Sequence, residues 1–224
     1  MQTVAILPVK RFSSAKRRLE GALASGARRA LAEAMFSDVL TALRRVDAID
    51  EILVVSADLG AQRIAEGYGA RAIDDAAESG QDQAVARGAG VARELGATQV
   101  LCLAGDCPMI DPLDLETLLG KPRTAARFAV LVPDRHGTGT NGLLLSPPDA
   151  LEPRYGPGSF ARHLELAQAG GVPTEIAEIA SVGLDVDTPD DLVALQEALA
   201  ARRGGAAHTR GMLHQLQRTS AAGR

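Results

Sequence analysis

Short apolar runs alternate with longer amphipathic segments along this chain, and that alternation is the feature that most constrains its fold. The runs are too short for helices, and three of the four are rich in β-branched residues, so they predict strands. Strands that are apolar throughout are typical of a parallel sheet covered on both faces. The runs are Val4–Pro8, Ile52–Ser56, Val100–Ala104 and Phe128–Val132.

The segments between the runs have helical periodicity. Apolar residues recur on one helical face across Arg28–Val46, and shorter helices are predicted at about 59–68 and 82–95. Right-handed crossovers between such strands produce a doubly wound, mostly parallel α/β sheet. A last short strand is expected over Gly183–Asp187, followed by a helix whose N-cap is Thr188.

Composition excludes several classes of function. The chain has 224 residues, 3% of them aromatic, with no Trp, whereas single-strand nucleic-acid readers need aromatic platforms. A net charge of -4 does not suit duplex binding, so we expect no nucleic-acid partner.

We find no apolar stretch near the ~20 residues of a membrane span, and therefore expect a cytoplasmic protein without membrane contact. Two cysteines, Cys102 and Cys107, are too few for a disulfide framework or a zinc site.

Charge is unevenly distributed. Residues 202–224 contain five arginines and no acidic residue, so residues 1–201 carry a net charge of about -9. The terminal segment also lacks a sustained apolar period. We therefore predict one folded domain over 1–201 and a basic, disordered tail over 202–224.

Five cations lie within Lys10–Arg18, in the loop that follows the first predicted strand. Ligands of open parallel sheets bind beyond the carboxyl ends of the strands, so cations at this edge of an acidic domain favour a polyphosphate ligand. The loop has no glycine before Gly21, and it therefore contains neither the dinucleotide fingerprint nor a P-loop. A solvated basic turn is the alternative.

Acidic residues follow later apolar runs. Asp106 comes just after the run that ends at Ala104, where a carboxylate is a natural ligand of Mg²⁺. Asp185 and Asp187 would point to one side of a strand, since side chains i and i+2 share a face. Two such carboxylates repel each other unless a cation or a shared proton joins them. Turn capping by Asp106 and N-cap competition by Asp187 are the alternatives.

Three glycine-containing turns are further candidates. Gly80-Gln81-Asp82 opens a predicted helix, and a free amide edge there could read a nucleotide base. Gly137–Asn141 and Tyr155–Ser159 are rich in hydroxyl groups and glycine, and backbone N–H groups near the helix that starts around Ser159 could bind an anion. Ordinary surface turns explain each segment about as well from local pattern.

Taken in order, these segments resemble the CofC/FbiD guanylyltransferases of deazaflavin-coenzyme (coenzyme F-420) biosynthesis. The resemblance covers about residues 1–200. Sugar-nucleotide and molybdopterin nucleotidyltransferases are similar in fold, but their first loop is usually glycine-rich. The segments are Pro8-Val9-Lys10, Lys16-Arg17-Arg18-Leu19, Gly105-Asp106-Cys107-Pro108, Gly137–Asn141, Gly156-Pro157-Gly158-Ser159 and Leu184–Pro189.

The resemblance implies a nucleotidyltransferase (glycosyltransferase-A-like) fold and a reaction. GTP would condense with a phosphorylated three-carbon acid to a guanosine diphospho-acid and pyrophosphate. The acid would be phosphoenolpyruvate, 2-phospholactate or 3-phosphoglycerate. Mg²⁺ is the implied cofactor, and a homodimer is compatible with the family.

The resemblance also implies roles for individual residues. Lys16, Arg17 and Asp106 would be catalytic. The implied metal ligands are Asp106, Asp185 and Asp187; the acid would contact Thr140, Gly156 and Ser159; and the nucleotide would contact Pro8, Lys10, Lys16, Arg17, Gly80 and Asp82.

One segment departs from the family pattern. The base site commonly has a Gly-Leu-Asn-like sequence, and here it is Gly80-Gln81-Asp82. Guanine selectivity is therefore open, although Asp82 could accept hydrogen bonds from the guanine N1–H and amino group. Another Mg²⁺-dependent nucleotidyltransferase, or a non-catalytic nucleotide-binding module, is the alternative function. A dehydrogenase is disfavoured because the fingerprint glycines are missing.

Overall fold

Seven strands form one continuous sheet in the computed structural model, which describes residues 2–78 and 80–222. The four apolar runs are strands whose bounds differ from the predicted ones by one residue at most. The two edge strands, of four and three residues, are partly exposed and have no continuous apolar run to predict them. The strands are β1 (Thr3–Pro8), β2 (Glu51–Ser56), β3 (Arg71–Asp74), β4 (Gln99–Leu103), β5 (Phe128–Pro133), β6 (Thr140–Ser146) and β7 (Thr174–Ile176).

The strand order is β3-β2-β1-β4-β6-β5-β7. β3, β2, β1 and β4 run parallel, as do β5 and β7, whereas β6 is antiparallel to both of its neighbours. The predicted doubly wound, mostly parallel α/β sheet is confirmed. Because β6 is reversed, its first residues lie beside the last residues of β4, with Gly142 opposite Leu103. The start of β6 therefore joins the sheet edge at which ligands bind.

Helices pack on both faces of the sheet, as strands that are apolar on both sides require. No helix within the described residues is long and apolar enough to cross a membrane. The helices are α1 (Ser25–Leu43), α2 (Leu59–Gly67), α3 (Gln81–Glu94), α4 (Pro112–Gly120), α5 (Ser159–Ala169), α6 (Ala180–Gly183), α7 (Pro189–Ala201) and α8 (Ala207–Ala222).

The two faces of β1 show how the helices are divided. Ala5 and Leu7 point to a core that contains residues of α1, α2 and α4, and Val4 and Ile6 point to a second core with residues of α3 and α5. Fully burying each of the larger aliphatic side chains stabilises the fold by about 2 kcal/mol.

A third core lies beside the sheet and beneath the loops at its carboxyl edge. It joins residues of α1, α7 and α8 to side chains from three loop segments. Its main members are Leu19, Leu31, Met35, Met109, Leu184, Val186, Leu195, Leu199 and Leu213.

The strand predicted over Gly183–Asp187 is wrong. Gly183 ends α6, and residues 184–188 pair with no strand of the sheet. The Gly183 carbonyl accepts a hydrogen bond from the Arg135 N–H at 2.7 Å. The predicted cap is confirmed, because the Thr188 side chain accepts from the backbone of α7. The segment is held by Val186, which is buried in the third core, rather than by strand pairing.

The disorder predicted for the C-terminal tail is also wrong for residues 207–222, which form α8; residues 223 and 224 lie outside the described residues. The buried carboxylate of Asp38 on α1 accepts from the N–H groups of His208 (3.0 Å) and Thr209 (2.7 Å). Leu213 is buried in the third core. A cap from a residue so distant in sequence leaves no local signal, which is why the arginine-rich segment resembled a disordered one.

Replacing Asp38 with Ala should lower the free energy of unfolding by about 2 kcal/mol, because two N–H groups at the start of α8 lose their acceptor. Urea unfolding followed by circular dichroism measures the difference. Asp47→Ala, at an exposed position just beyond α1, is the matched control. Equal midpoints for the two variants would contradict the role of Asp38.

Candidate active site

Lys16 lies at the centre of the site, in the loop between β1 and α1. Two short 3-10 turns, Phe12–Ser14 and Arg17–Leu19, fold the loop back over the sheet edge. Lys16 lies between them with a left-handed backbone (φ 57°), which costs a non-glycine residue about 1 kcal/mol. Only 5% of its side chain is exposed. The loop thus turns one of its cations inward, away from solvent.

The Lys16 ammonium forms ion pairs with two of the predicted metal ligands. It donates to a carboxylate oxygen of Asp106 and, at 3.1 Å, to Oδ1 of Asp187. Asp106 follows β4 and Asp187 precedes α7, so a single ammonium joins three segments that are distant in sequence. These two pairs offset the strained backbone of Lys16.

Asp106, Asp185 and Asp187 converge as the sequence predicted. One carboxylate oxygen from each lies within 4.8 Å of the others. The segment of Asp185 and Asp187 is not a strand, yet the expected alternation is kept, because Val186 between them is fully buried. The three carboxylates therefore face one point at the carboxyl edge of the sheet.

The charges of this cluster are only partly compensated. Burial by itself would lower the pKa of Lys16, but the charges of Asp106 and Asp187 raise it above its usual value, so the ammonium stays charged. Burial, together with the charge of Asp106, raises the pKa of Asp185 to about 6. Asp106 and Asp187 are thus paired with Lys16, whereas ionisation of Asp185 is disfavoured.

Asn141 supports Asp185 and was not among the predicted site residues. Its Nδ2 donates to Asp185 Oδ1 at 3.0 Å and to the carbonyls of Val182 (3.1 Å) and Gly183 (3.2 Å). Asn141 is in β6, beside β4, and is buried. The sequence showed it only as the last residue of a glycine- and threonine-rich turn; its contact with Asp185 comes from the reversed direction of β6.

Asp191 supports Asp187 in a similar way. Its Oδ2 accepts from the N–H groups of Asp187 (3.0 Å) and Thr188 (2.7 Å), while its Oδ1 accepts from Arg135 Nη2 at 2.6 Å. Although burial acts in the opposite direction, hydrogen bonds from Thr188 and Arg135 lower the pKa of Asp191 to about 2. Asp191 therefore remains ionised and fixes the backbone that carries Asp187, a role beyond favourable placement at a helix N-terminus.

The other residues assigned to the nucleotide are at the end of β1, in the loop that follows it and at the start of α3. Pro8 ends β1, and the side chains of Lys10 and Arg17 are exposed on the same loop. Gly80 is exposed at the N-cap of α3 with a φ of 96°, a conformation that favours glycine. These positions leave the side chains of Lys10 and Arg17 open to solvent and ligands.

Asp82 has a partner inside the protein. Its Oδ1 accepts from the backbone N–H of Tyr155 at 2.6 Å. The carboxylate thus links the first turn of α3 to the loop that contains Gly156, a contact that the sequence pattern did not predict.

Thr140 and Ser159 are brought together, but both are buried. The Thr140 N–H donates to Ser159 Oγ at 3.0 Å, and Thr140 Oγ1 lies 3.0 Å from His163 Nδ1. Gly156 is exposed, with a φ of 98°. Among these three residues assigned to the acid, the hydroxyl groups make hydrogen bonds within the protein and the glycine faces outward.

His163 organises this region and carried no predicted role. Its Nε2 accepts from the Arg154 N–H at 2.8 Å, which places the ring proton on Nδ1, from where it can donate to Thr140 Oγ1. Burial lowers the pKa of His163 to about 4, so the ring is neutral at pH 7.

Neither cysteine supplies a nucleophile. Cys107 adjoins Asp106 and is fully buried, and burial raises the pKa of its thiol well above the usual value. Burial raises the pKa of Cys102 to about 12. Both thiols stay protonated and pack as small apolar groups.

Solved structures place the fold in a known class. A protein from Desulfovibrio desulfuricans G20, proposed to be a nucleotide-diphospho-sugar transferase, superposes with a TM-score of 0.74 at 17% identity, over 96% of this chain and 95% of that one. A nucleotidyl transferase from Methanothermobacter superposes with a TM-score of 0.60 at 18% identity, over 88% of this chain and 97% of that one, so the predicted nucleotidyltransferase fold is confirmed.

The sequence comparisons define the family. The family model described as guanylyl transferase CofC like matches residues 3–220, which includes most of α8, and the chain belongs to this family of guanylyltransferases. The phosphoenolpyruvate guanylyltransferase of Conexibacter woesei is 67% identical over 98% of this chain and 99% of its own length. The 2-phospho-L-lactate guanylyltransferase of Methanothermobacter thermautotrophicus is 32% identical over 98% and 93%, respectively.

The neutral state of His163 predicts a pH-dependent stability. Its pKa is about 4 in the folded protein against 6.5 in a model compound, so the unfolded chain binds the extra proton between these values. The contribution of His163 is full above pH 6.5 and is lost as the pH falls towards 4. Urea unfolding across this range should show a steeper loss of stability for the native protein than for His163→Gln. Parallel profiles would contradict the prediction.

Proposed function

We propose that this protein transfers the guanylyl group of GTP to phosphoenolpyruvate, with Mg²⁺ bound by Asp106, Asp185 and Asp187, in coenzyme F-420 biosynthesis. The observation that carries the proposal is the convergence of these carboxylates around the Lys16 ammonium, at the sheet edge where nucleotides bind. The similarity to the Conexibacter enzyme favours phosphoenolpyruvate as the acid. A cytoplasmic location and a homodimer remain predictions.

The donor set fits a magnesium ion. Carboxylate oxygens are the hard ligands that Mg²⁺ prefers, and Asp185 is a half-buried carboxyl group with a pKa of about 6, for which a divalent cation would favour the ionised form. When bound, the ion would neutralise charge on the phosphate oxygens. The exposed fraction of the Asp187 side chain, 48%, leaves room for a ligand on that side of the cluster.

The reaction needs no protein nucleophile. A phosphate oxygen of the acid, already anionic at pH 7, would attack the α-phosphorus of GTP; a new P–O bond forms there while the bond to the β-phosphate bridging oxygen breaks. Pyrophosphate leaves with the electron pair of the broken bond. The protein then contributes by positioning two anions and by stabilising charge. The buried, protonated state of both cysteines is consistent with a reaction that uses no thiol nucleophile.

Lys16 and Arg17 would serve the triphosphate in different ways. Lys16 is buried, stays charged and is held between Asp106 and Asp187, so it presents a fixed cation beside the metal ligands. Arg17 is exposed on the next turn and can reach the leaving pyrophosphate from the solvent side. Lys10, also exposed, adds a third positive charge at this edge.

Replacing Asp187 with Asn should reduce kcat roughly 100-fold or more, because a charged ligand is lost while the Lys16 pair with Asp106 can persist. Pyrophosphate release measured with GTP, phosphoenolpyruvate and Mg²⁺, with and without EDTA, provides the readout. Asp190→Asn, three residues away and exposed in the first turn of α7, is the matched control. Native rates for Asp187→Asn, or activity that survives EDTA, would contradict the metal assignment.

The acceptor can be identified in the same assay. We expect phosphoenolpyruvate to give the highest kcat/KM, above 2-phospho-L-lactate and 3-phospho-D-glycerate. The similarity to the Methanothermobacter enzyme makes 2-phospho-L-lactate the second candidate. Preference for either of the other acids would overturn the assignment of phosphoenolpyruvate but not the guanylyltransferase reaction. If no pyrophosphate were released with any of the three acids, the proposed substrate class would be overturned.

A further inference from the structure

The loop before α5, residues 153–158, is an exposed turn held by side chains from two helices. Gly156 and Gly158 both have positive φ values, 98° and 72°, and the turn between them faces solvent. We call this segment the acid loop, because the proposed function places the phosphorylated acid at Gly156 and the adjoining Ser159. Its shape must be maintained by contacts at its backbone, since it contains no helix or strand.

Two of the side chains that hold the loop, His163 and Arg162, come from α5, which follows the loop directly. His163 Nε2 accepts from the Arg154 N–H at 2.8 Å. Arg162 donates to the carbonyl of Tyr155 at 2.8 Å and to that of Pro157 at 2.6 Å. These side chains are local, and they tie the loop to its own helix.

A third side chain that holds the loop comes from a different part of the chain. Asp82, 73 residues earlier in the chain, accepts from the Tyr155 N–H through Oδ1 at 2.6 Å. Asp82 is in the first turn of α3, two residues after Gly80 and half-buried. The Tyr155 ring packs edge-on against His163, with 5.2 Å between centroids. A charged acceptor at this distance makes a stronger bond than a neutral one, so Asp82 determines where the middle of the acid loop lies relative to α3.

We propose that Asp82 is a positioning residue for the phosphorylated acid and does not serve primarily as a reader of the guanine base. The inference rests on the proposed function, which places the acid at this loop. Asp82 Oδ1 is used by the Tyr155 N–H, and this bond links the end of the site assigned to the base with the end assigned to the acid. Loss of the bond releases Tyr155 and the exposed turn that follows it, and weakens binding of the acid.

The test compares how substitution of Asp82 changes KM for the acid and KM for GTP. In Asp82→Ala, KM for the acid should rise roughly tenfold or more, and KM for GTP should change less than about twofold. Asp82→Asn should recover much of the loss, because its amide oxygen can still accept from the Tyr155 N–H. Gln83→Ala, at the exposed neighbouring position, is the matched control and should resemble the native enzyme.

Hydrogen exchange provides a readout that does not depend on turnover. The backbone amides of the acid loop that carry a hydrogen, those of Arg154, Tyr155, Gly156 and Gly158, should exchange faster in Asp82→Ala than in the native protein, without faster exchange in the central strands. A rise confined to KM for GTP, with weaker discrimination of GTP against ITP, would show that Asp82 reads the base and would overturn the proposal. Faster exchange with an unchanged KM for the acid would overturn it too.

A failure of the proposed function would give a different result from a failure of the role proposed for Asp82. If the native enzyme released pyrophosphate with none of the three acids, the assignment of the substrate class would fail. The exchange measurement would still report whether Asp82 holds the loop. Unchanged exchange in Asp82→Ala would contradict the positioning role whatever the substrate.

Discussion

The ion pairs of Lys16 with Asp106 and Asp187 are the interaction on which the site depends. Three carboxylates with oxygens within 4.8 Å of one another repel, and the buried ammonium reduces this repulsion by pairing with two of them. Burial and the charge of Asp106 raise the pKa of the third carboxyl group, that of Asp185, to about 6. The cluster thus offers three carboxylate oxygens, the type of donor that Mg²⁺ prefers.

The third core lies beneath the charged groups and fixes the segments that carry them. Leu19 anchors the loop of Lys16, Met109 follows Asp106, and Val186 separates the other two carboxylates. α8 covers this core with Leu213 and is itself capped by Asp38. The C-terminal helix, expected to be a disordered tail, is therefore part of the packing that supports the segments of the three carboxylates.

Much of the architecture was predictable, because the spacing of apolar residues within a segment favours either a strand or a helix. The apolar runs predicted four central strands, and amphipathic spacing predicted α1, α2 and α3 near their observed bounds. The short edge strand β7 has an exposed Ile176 and no comparable pattern. The segment at 183–187 resembled a strand, but its alternation reflects a buried Val186 in a loop.

The sequence by itself determined the fold class, the metal-ligand candidates and the family, since motifs and periodicity are local properties of a chain. Only the tertiary structure decided which partner each polar side chain has. Asp82 binds a loop amide 73 residues away, and Asn141 reaches Asp185 because β6 runs antiparallel. The physical reason is that a hydrogen bond between distant segments depends on how the whole sheet is assembled, and leaves no periodic trace in either segment.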